Sequence, residues 1–197
     1  MKALKELKRH LKQGQVYRRS DLAQWSNAVD RHVKQLVEEG TLQKLAQGLY
    51  YYPMKASFGN VPPADEKLVG AFLKSEDFLL TTPNLYNSLG VGTTQLYNKR
   101  VVYNHKRHGQ FVLGGKQFDF RLKHKFPKNL SEEFLLVDLL NNLNELAEDR
   151  EEVVKSVKVK VLEESESRMK RTVNEYAGER TKSLFNQWLS EESLAHA

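Results

Sequence analysis

The fold is decided by residues 19–50, which read RSDLAQWSNAVDRHVKQLVEEGTLQKLAQGLY. Ser20 can cap a short helix that runs to Trp25. A longer helix follows, and Gly40 is a suitable residue to end it. Apolar residues recur along this longer helix at a spacing that predicts one buried face: Val29, Val33, Leu36 and Val37.

Two short β-strands are predicted after that helix, over residues 41–45 and 49–52. Gly48 lies in the connection and can take the positive φ that a tight hairpin needs. A first helix is predicted upstream from three leucines at helical spacing: Leu4, Leu7 and Leu11. Because the order helix, helix, helix, hairpin is that of a winged helix-turn-helix, we expect this fold over residues 1–54.

The remaining chain predicts an α/β domain over residues 65–147, after a Pro- and Gly-containing linker at 55–64. Runs rich in Val, Tyr and Phe predict a small antiparallel sheet, and a helix capped by Ser131 is expected to cover one of its faces. Residues 148–197 predict a charged helical C-terminal region. Within it, Val157–Val161 alternates like a strand, and both strand and helix remain open there. The predicted fold class is α+β.

Charge is unevenly distributed along the 197 residues, whose formal net charge is +6. Residues 1–60 carry 11 Lys/Arg against 5 Asp/Glu, residues 95–128 carry 9 against 1, and residues 129–152 carry 1 against 8. The two basic blocks suit a polyanionic partner such as nucleic acid. The absence of cysteine excludes disulfides and thiolate metal sites, and no cofactor is indicated. With no long apolar run, a cytoplasmic protein without membrane contact is expected.

The longer helix of residues 19–50 carries the side chains expected to read base edges in the major groove. Asn and Gln can pair with adenine, and Arg with guanine, through two hydrogen bonds. The candidates on this helix are Asn27, Arg31, Lys34 and Gln35. Phosphate contacts are expected at the start of the preceding helix and on the hairpin, from Arg18, Arg19, Ser20, Lys44 and Gln47. Asp30 and the Glu38-Glu39 pair would repel phosphates, so we expect them to face away or to act as caps.

Three runs in this region carry a family likeness: Arg19-Ser-Asp-Leu-Ala23, Ala28-Val-Asp-Arg31, and Leu36 to Tyr50, which ends in Gly-x-Tyr. They resemble the N-terminal domain of AbiEi-type antitoxins. A weaker likeness continues through residues 81–95 and 101–123. The resemblance implies a DNA-binding transcriptional autorepressor that is also the antitoxin of a type IV toxin-antitoxin pair. Its partners would be double-stranded operator DNA and, functionally, a nucleotidyltransferase-like toxin that it opposes without a stable complex.

The basic block at 95–128 is a candidate for a second nucleic-acid surface, since its cations alternate with aromatic residues. Those cations are Lys99, Arg100, Lys106, Arg107, Lys116, Arg121, Lys123 and Lys125. The alternate Phe residues of these strands are expected in the core instead. His105, His108 and His124 lie near Asp119 in sequence, but the surrounding cations disfavour another cation, and no metal site is predicted.

An enzyme is not expected, because the sequence has neither a phosphate-binding glycine loop nor a nucleophile elbow. Two alternatives remain open. One is a winged-helix protein-interaction module without sequence-specific DNA binding, which meets its partner through the acidic helix at 129–152. The other is an enzyme or enzyme subunit that acts on nucleic acid, although no cluster of acidic metal ligands adjoins either basic block. Steep salt dependence of binding would distinguish DNA recognition from apolar docking.

Overall fold

The computed structural model describes residues 2–195 and has a mixed α+β fold with small antiparallel sheets and C-terminal helices, as predicted. The helices are α1 (Lys2–His10), α2 (Arg19–Ala23), α3 (Val29–Glu38), α4 (Asp65–Leu73), α5 (Glu132–Asn142), α6 (Arg150–Glu163), α7 (Glu166–Tyr176) and α8 (Glu179–Ala195). The strands are β1 (Gln15–Arg18), β2 (Gln43–Ala46), β3 (Leu49–Tyr52), β4 (Met54–Ala56), β5 (Gly59–Val61), β6 (Phe78–Thr81), β7 (Arg100–Asn104), β8 (Gly109–Leu113) and β9 (Lys116–Leu122). Two 3₁₀ helices cover Pro83–Leu89 and Leu143–Glu145.

The chain divides into two compact units, and each is built from two segments of sequence. The first unit contains the residues up to Phe78 together with His105–Leu122. The second contains Leu79–Asn104 together with the residues from Lys123 onward. The division predicted from the sequence, with domains at 1–54, 65–147 and 148–197, differs from these two units and stays a prediction. No helix within residues 2–195 has the length and apolar character needed to cross a bilayer.

In the first unit, α1, α2 and α3 pack around an apolar core beside a three-stranded antiparallel sheet of order β1-β3-β2. Leu7, Leu22 and Leu36 are fully buried in that core. The β2–β3 hairpin confirms the predicted turn, and Gly48 has the expected positive φ of 70°. The helix α4 packs against β1, so the helix, strand and hairpin arrangement of the N-terminal segment is extended by a further helix.

The predicted N-cap of α2 is wrong. Residues 15–18 form the strand β1, which the sequence reading did not include, and α2 begins directly after it at Arg19. Ser20 is therefore an exposed residue inside the helix. The capping contact comes from Asp21, whose Oδ2 accepts a hydrogen bond from the Arg18 backbone nitrogen at 2.9 Å. The strand forms because Val16 and Tyr17 pair with β3, which is a long-range contact.

The predicted linker also contains regular structure. Strands β4 and β5 form an antiparallel hairpin in which Met54 pairs with Val61. The hairpin is attached to the first unit by the Tyr51 hydroxyl, which donates to the Val61 carbonyl at 2.8 Å. Pro62 and Pro63 follow this hairpin rather than breaking it, so the expected irregular stretch begins later than the sequence suggested.

The β8–β9 hairpin belongs to the first unit because its turn contacts β2. The strand β2 has a bulge at Leu45, and the Leu45 carbonyl accepts a hydrogen bond from the Gly114 nitrogen at 3.0 Å. Gly114 has a φ of +57°, and a Cβ at this position would lie 3.3 Å from Leu45 Cδ2. Glycine therefore permits both the turn and the close approach of the two hairpins.

The helix α5 forms the centre of the second unit. All residues from Phe134 to Leu140 are buried, and α5 contacts α6, α7, α8 and the first 3₁₀ helix. Ser131 caps it as predicted, its Oγ accepting a hydrogen bond from the Phe134 nitrogen at 3.1 Å. Phe134 also packs against Leu79 and Val101 of β6 and β7. The predicted contact of this helix with a sheet face is therefore present, and helices cover the other sides of α5, which the sequence did not indicate.

The segment Val157–Val161, which could have been strand or helix, is part of α6. Burial follows the helical period, since Val153, Val157 and Val161 are buried whereas Val159 is 61% exposed. The four-residue spacing of the buried valines therefore determines the local structure, and the two-residue alternation does not.

Candidate nucleic-acid interface

The helix α3 presents an apolar face to the core of the first unit and a polar face to solvent. Its buried residues are Val29, His32, Val33 and Leu36. The exposed candidates are Asn27, Arg31, Lys34 and Gln35, with Asn27 two residues before the helix begins. Steps of three and four residues place Arg31, Lys34 and Gln35 along one side of the helix, and Asn27 lies just before its start. The structure therefore brings the predicted base-reading residues together.

A buried polar pair that sequence reasoning missed fixes the turn between α2 and α3. The Oγ atom of Ser26 lies 2.7 Å from Nδ1 of His32, and both residues are only 5% exposed. The same Oγ accepts a hydrogen bond from the Ala28 nitrogen at 3.2 Å. The signal in the sequence was the position of His32, which falls in the apolar stripe formed by Val29, Val33 and Leu36.

Two of the carboxylates near α3 bind cations of the protein itself. The carboxylate of Asp30 accepts hydrogen bonds from Nε and Nη2 of Arg19, each at 2.6 Å. The carboxylate of Glu39 accepts hydrogen bonds from Lys8 at 2.7 Å and from Gln35 at 2.8 Å. Hydrogen bonding to Arg19 lowers the pKa of Asp30, and hydrogen bonding to Lys8 and then Gln35 lowers the pKa of Glu39. Both carboxylates thus offset neighbouring cations, and Gln35 is partly engaged before any ligand binds.

Glu38 does not face away, contrary to expectation. It is on the same side of α3 as Lys34 because it follows four residues later, and its Oε1 lies 3.9 Å from the Lys34 ammonium. The Lys34 and Glu38 side chains are 78% and 65% exposed, so their attraction is weak. Arg31 forms no ion pair within residues 2–195. The positive charge of this face is therefore least compensated at Arg31.

Four of the predicted phosphate-contacting residues surround an open cleft of about 310 Å³. We call it the hairpin-tip cleft, and it is lined by Arg18, Arg19, Ser20, Gln47, Gly48, Leu49, Ala71, Phe72, Lys74 and Arg107. The Arg19 nitrogen donates a hydrogen bond to the Gly48 carbonyl at 2.9 Å, which holds the hairpin turn against the start of α2. Lys44 is exposed on β2 but is not part of the lining.

The expected anion site on the amides at the start of α2 is filled by a carboxylate of the protein. Asp21 accepts hydrogen bonds from the backbone nitrogen of Arg18 at 2.9 Å and from its Nε at 3.0 Å. The two side chains are about one-third exposed. A phosphate at this point would be repelled by Asp21, so the cations elsewhere in the cleft are better placed to contact one.

Lys74 and Arg107 are lining residues that the sequence reading did not assign to this site. Arg107 belongs to the basic block at 95–128, whereas Lys74 gave no signal beyond its place after the apolar run of α4. Three other cations of that block contact carboxylates or an aromatic ring of the protein. Arg121 pairs with Asp119 at 2.7 Å, Lys99 pairs with Glu145 at 3.2 Å, and the Lys123 ammonium lies 5.0 Å from the centre of the Tyr103 ring.

The histidines of the basic block have separate environments. Nε2 of His105 lies 3.5 Å from a carboxylate oxygen of Asp77, and His108 and His124 are exposed. Within the part of the chain that the structure describes, no three His, Cys, Asp or Glu side chains are close enough to bind one metal ion.

These features define a mixed α+β protein in which an exposed polar helix and a cationic cleft belong to the same unit. A family model matches residues 2–170, most of the chain. The chain belongs to that family, DUF6088, a family of unknown function. No curated protein and no solved structure matches it.

Proposed function

We propose that the first 54 residues form a winged helix-turn-helix that binds double-stranded operator DNA, with α3 as the reading helix and the β2–β3 hairpin as the wing. We further propose that the protein is an autorepressor and the antitoxin of a type IV toxin-antitoxin pair. In that role it opposes a nucleotidyltransferase-like toxin without forming a stable complex. The protein acts by binding and is not an enzyme.

The observation that carries the DNA-binding proposal is that α3 has a buried apolar face and an exposed polar face. Val29, Val33 and Leu36 are buried, whereas Arg31 and Lys34 are exposed on the other side and Asn27 is exposed just before the helix. Side chains of these types can pair with base edges or phosphates in the major groove. The order of α1, β1, α2, α3, β2 and β3, with sheet order β1-β3-β2, supports a reading helix that is backed by a hairpin.

The antitoxin half of the proposal rests on the resemblance of three N-terminal runs to AbiEi-type antitoxins. The hairpin motif Gly48-Leu-Tyr50 lies at the end of the longest run. Expression of a nucleotidyltransferase-like toxin encoded beside this gene should arrest growth, and co-expression of this protein should restore it. Failure to restore growth would remove the antitoxin role and leave the DNA-binding role intact.

The alternative of a protein-docking module is less well supported. Its proposed contact surface was the acidic helix at 129–152, but the apolar residues of α5 are buried within the second unit. A partner helix would need those apolar side chains to be exposed.

DNA binding is tested by gel retardation of a labelled fragment from upstream of the gene, at two salt concentrations. The wild-type protein should retard this fragment more strongly than an unrelated duplex of equal length, and retardation should weaken steeply with salt. The Arg31→Ala/Lys34→Ala variant should lose the preference. Lys155→Ala/Arg180→Ala is the matched control, since it removes two exposed cations from α6 and α8. Absence of wild-type binding at low salt would contradict the proposal and favour protein docking.

A further inference from the structure

Lys74 has an unusual backbone conformation at the end of α4. Its φ is +55°, and within residues 2–195 it is the only non-glycine residue with a positive φ. This left-handed conformation is unfavourable for residues with a Cβ, and glycine or asparagine is usual where a helix ends in this way. The folded structure therefore holds Lys74 against a local backbone preference, and such residues are often found at functional sites.

The Lys74 side chain lines the hairpin-tip cleft together with three arginines, and no carboxylate is part of that lining. Asp21 and Asp30 pair with Arg18 and Arg19 outside the lining. Lys74 is exposed, and its ammonium forms no hydrogen bond or ion pair within the described residues. Lys74 therefore adds to this cleft a positive charge that no carboxylate of the described residues pairs with.

Arg107 is brought to the cleft by contacts of its neighbours. The Lys106 ammonium donates hydrogen bonds to the carbonyls of Leu73 at 3.3 Å and Lys74 at 2.9 Å, at the C-terminal end of α4. The Arg107 guanidinium then lies over the Phe72 ring, 4.5 Å from its centre. The contact with the ring holds the guanidinium at the cleft, and guanidinium groups are well suited to oxyanion recognition.

We propose that the hairpin-tip cleft binds a backbone phosphate of the same duplex that α3 reads, with Lys74 and Arg107 as the phosphate-binding cations. This inference rests on the proposed DNA binding. It adds to the interface a contact from residues outside the first 54. Gln47 and Ser20 line the same cleft and can donate further hydrogen bonds to phosphate oxygens. The contact recognises the sugar-phosphate backbone and is independent of base sequence.

The test compares Lys74→Asn, Arg107→Gln and Lys74→Arg on the upstream duplex and on an unrelated duplex of equal length. Lys74→Asn and Arg107→Gln should each make the fall of log affinity with log salt shallower, by up to about 0.9, on both duplexes. This change corresponds to about a fivefold loss of affinity at 0.15 M salt. Lys74→Arg should retain the wild-type slope. Lys155→Asn, which removes an exposed cation from α6, is the matched control and should leave the slope unchanged.

Thermal unfolding gives an independent readout for Lys74. Because asparagine tolerates a positive φ better than lysine, Lys74→Asn should unfold at the same or a higher temperature while it binds DNA more weakly. One outcome would overturn this inference and leave the proposed function intact. In it, the wild-type protein binds DNA and Arg31→Ala/Lys34→Ala loses the preference for the upstream duplex, but Lys74→Asn and Arg107→Gln keep the salt dependence of the wild type. Absence of wild-type binding to any duplex at low salt would overturn both this inference and the proposed function.

Discussion

Arg19 and Asp30 form a two-point ion pair in which Nε and Nη2 of the guanidinium each lie 2.6 Å from a different carboxylate oxygen. The pair links the start of α2 to the first turn of α3 across 11 residues of sequence. Hydrogen bonding within the pair lowers the pKa of Asp30 and raises the pKa of Arg19, so both groups remain charged at neutral pH. Asp30 thus offsets the charge of an arginine that lines the hairpin-tip cleft.

Replacing Asp30 with asparagine should strengthen DNA binding. The substitution removes a negative charge from the first turn of α3, the proposed reading helix, and releases Arg19 to contact a phosphate. Affinity should therefore rise about fivefold at 0.15 M salt, and the fall of log affinity with log salt should become steeper by about 0.9. The measurement is retardation of the upstream duplex over a salt series. Glu152→Gln removes an exposed carboxylate from α6 and should have no effect. Weaker binding by Asp30→Asn would mean that Asp30 serves to position Arg19.

The Ser26–His32 pair should contribute to the stability of the first unit. Ser26→Ala leaves the buried Nδ1 of His32 and the Ala28 nitrogen without their shared partner, which should lower the free energy of unfolding by about 1–3 kcal/mol. Denaturant unfolding followed by Trp25 fluorescence in a Trp188→Phe background reports on this unit, since the two tryptophans lie in different units. Exposed Ser20→Ala is the control, with an expected change within about 0.5 kcal/mol. If Ser26→Ala and Ser20→Ala change the free energy of unfolding equally, the buried contact makes no net contribution to stability.

The elements predicted correctly are those with strong local signals. Gly48 permits the β2–β3 turn, and Ser131 caps α5, both through contacts within a few residues. The strand β1 was missed because its formation depends on pairing with β3 more than 30 residues away, as between Val16 and Tyr51. Its four residues have too little local pattern to identify a strand.

The residues of the candidate site also fall into those that local sequence predicts and those that depend on long-range contacts. The polar side of α3 follows from helical spacing, so Arg31 and Lys34 could be identified from sequence alone. Lys74 and Arg107 could not, because the contact between Lys106 and the end of α4 brings them together. That contact follows from the folded arrangement of segments distant in sequence. The backbone conformation of Lys74 is likewise visible only in the structure.

A buried polar network in the second unit should be important for stability. The Tyr86 and Tyr103 hydroxyls each donate a hydrogen bond at 2.7 Å to a different carboxyl oxygen of Asp138, and all three residues are almost fully buried. In Asp138→Asn, the side-chain amide offers one oxygen where two hydroxyl donors need acceptors. The free energy of unfolding should fall by about 1–3 kcal/mol.

The effect of Asp138→Asn is measured by denaturant unfolding with Trp188 fluorescence in a Trp25→Phe background, because Trp188 belongs to the same apolar cluster as α5. Exposed Glu151→Gln is the control and should remain within about 0.5 kcal/mol of the parent. If Asp138→Asn unfolds at the same denaturant concentration as the parent, the carboxylate of this network makes no net contribution to stability.

The same network should make the second unit sensitive to alkaline pH. Burial, followed by the nearby charge of Asp138, raises the pKa of Tyr86 well above the ordinary tyrosine value of 10.0. The folded state therefore disfavours ionisation of Tyr86, whereas the unfolded chain ionises it near pH 10. The resulting stability is fully present below pH 10 and is lost as pH rises from there towards the pKa of the folded state.

Absorbance titration near 295 nm, which detects tyrosinate, should show that Tyr86 ionises only on alkaline unfolding, so Tyr86→Phe should reduce the absorbance change on unfolding by that of one tyrosine. The parent should also lose more stability than Tyr86→Phe as pH rises above 10, because the variant has no hydroxyl to ionise at this position. Tyr52→Phe, at a half-buried residue of the first unit, is the matched control and should leave the absorbance change on unfolding in place. Ionisation of Tyr86 near pH 10, before any unfolding, would contradict the inferred burial of this network.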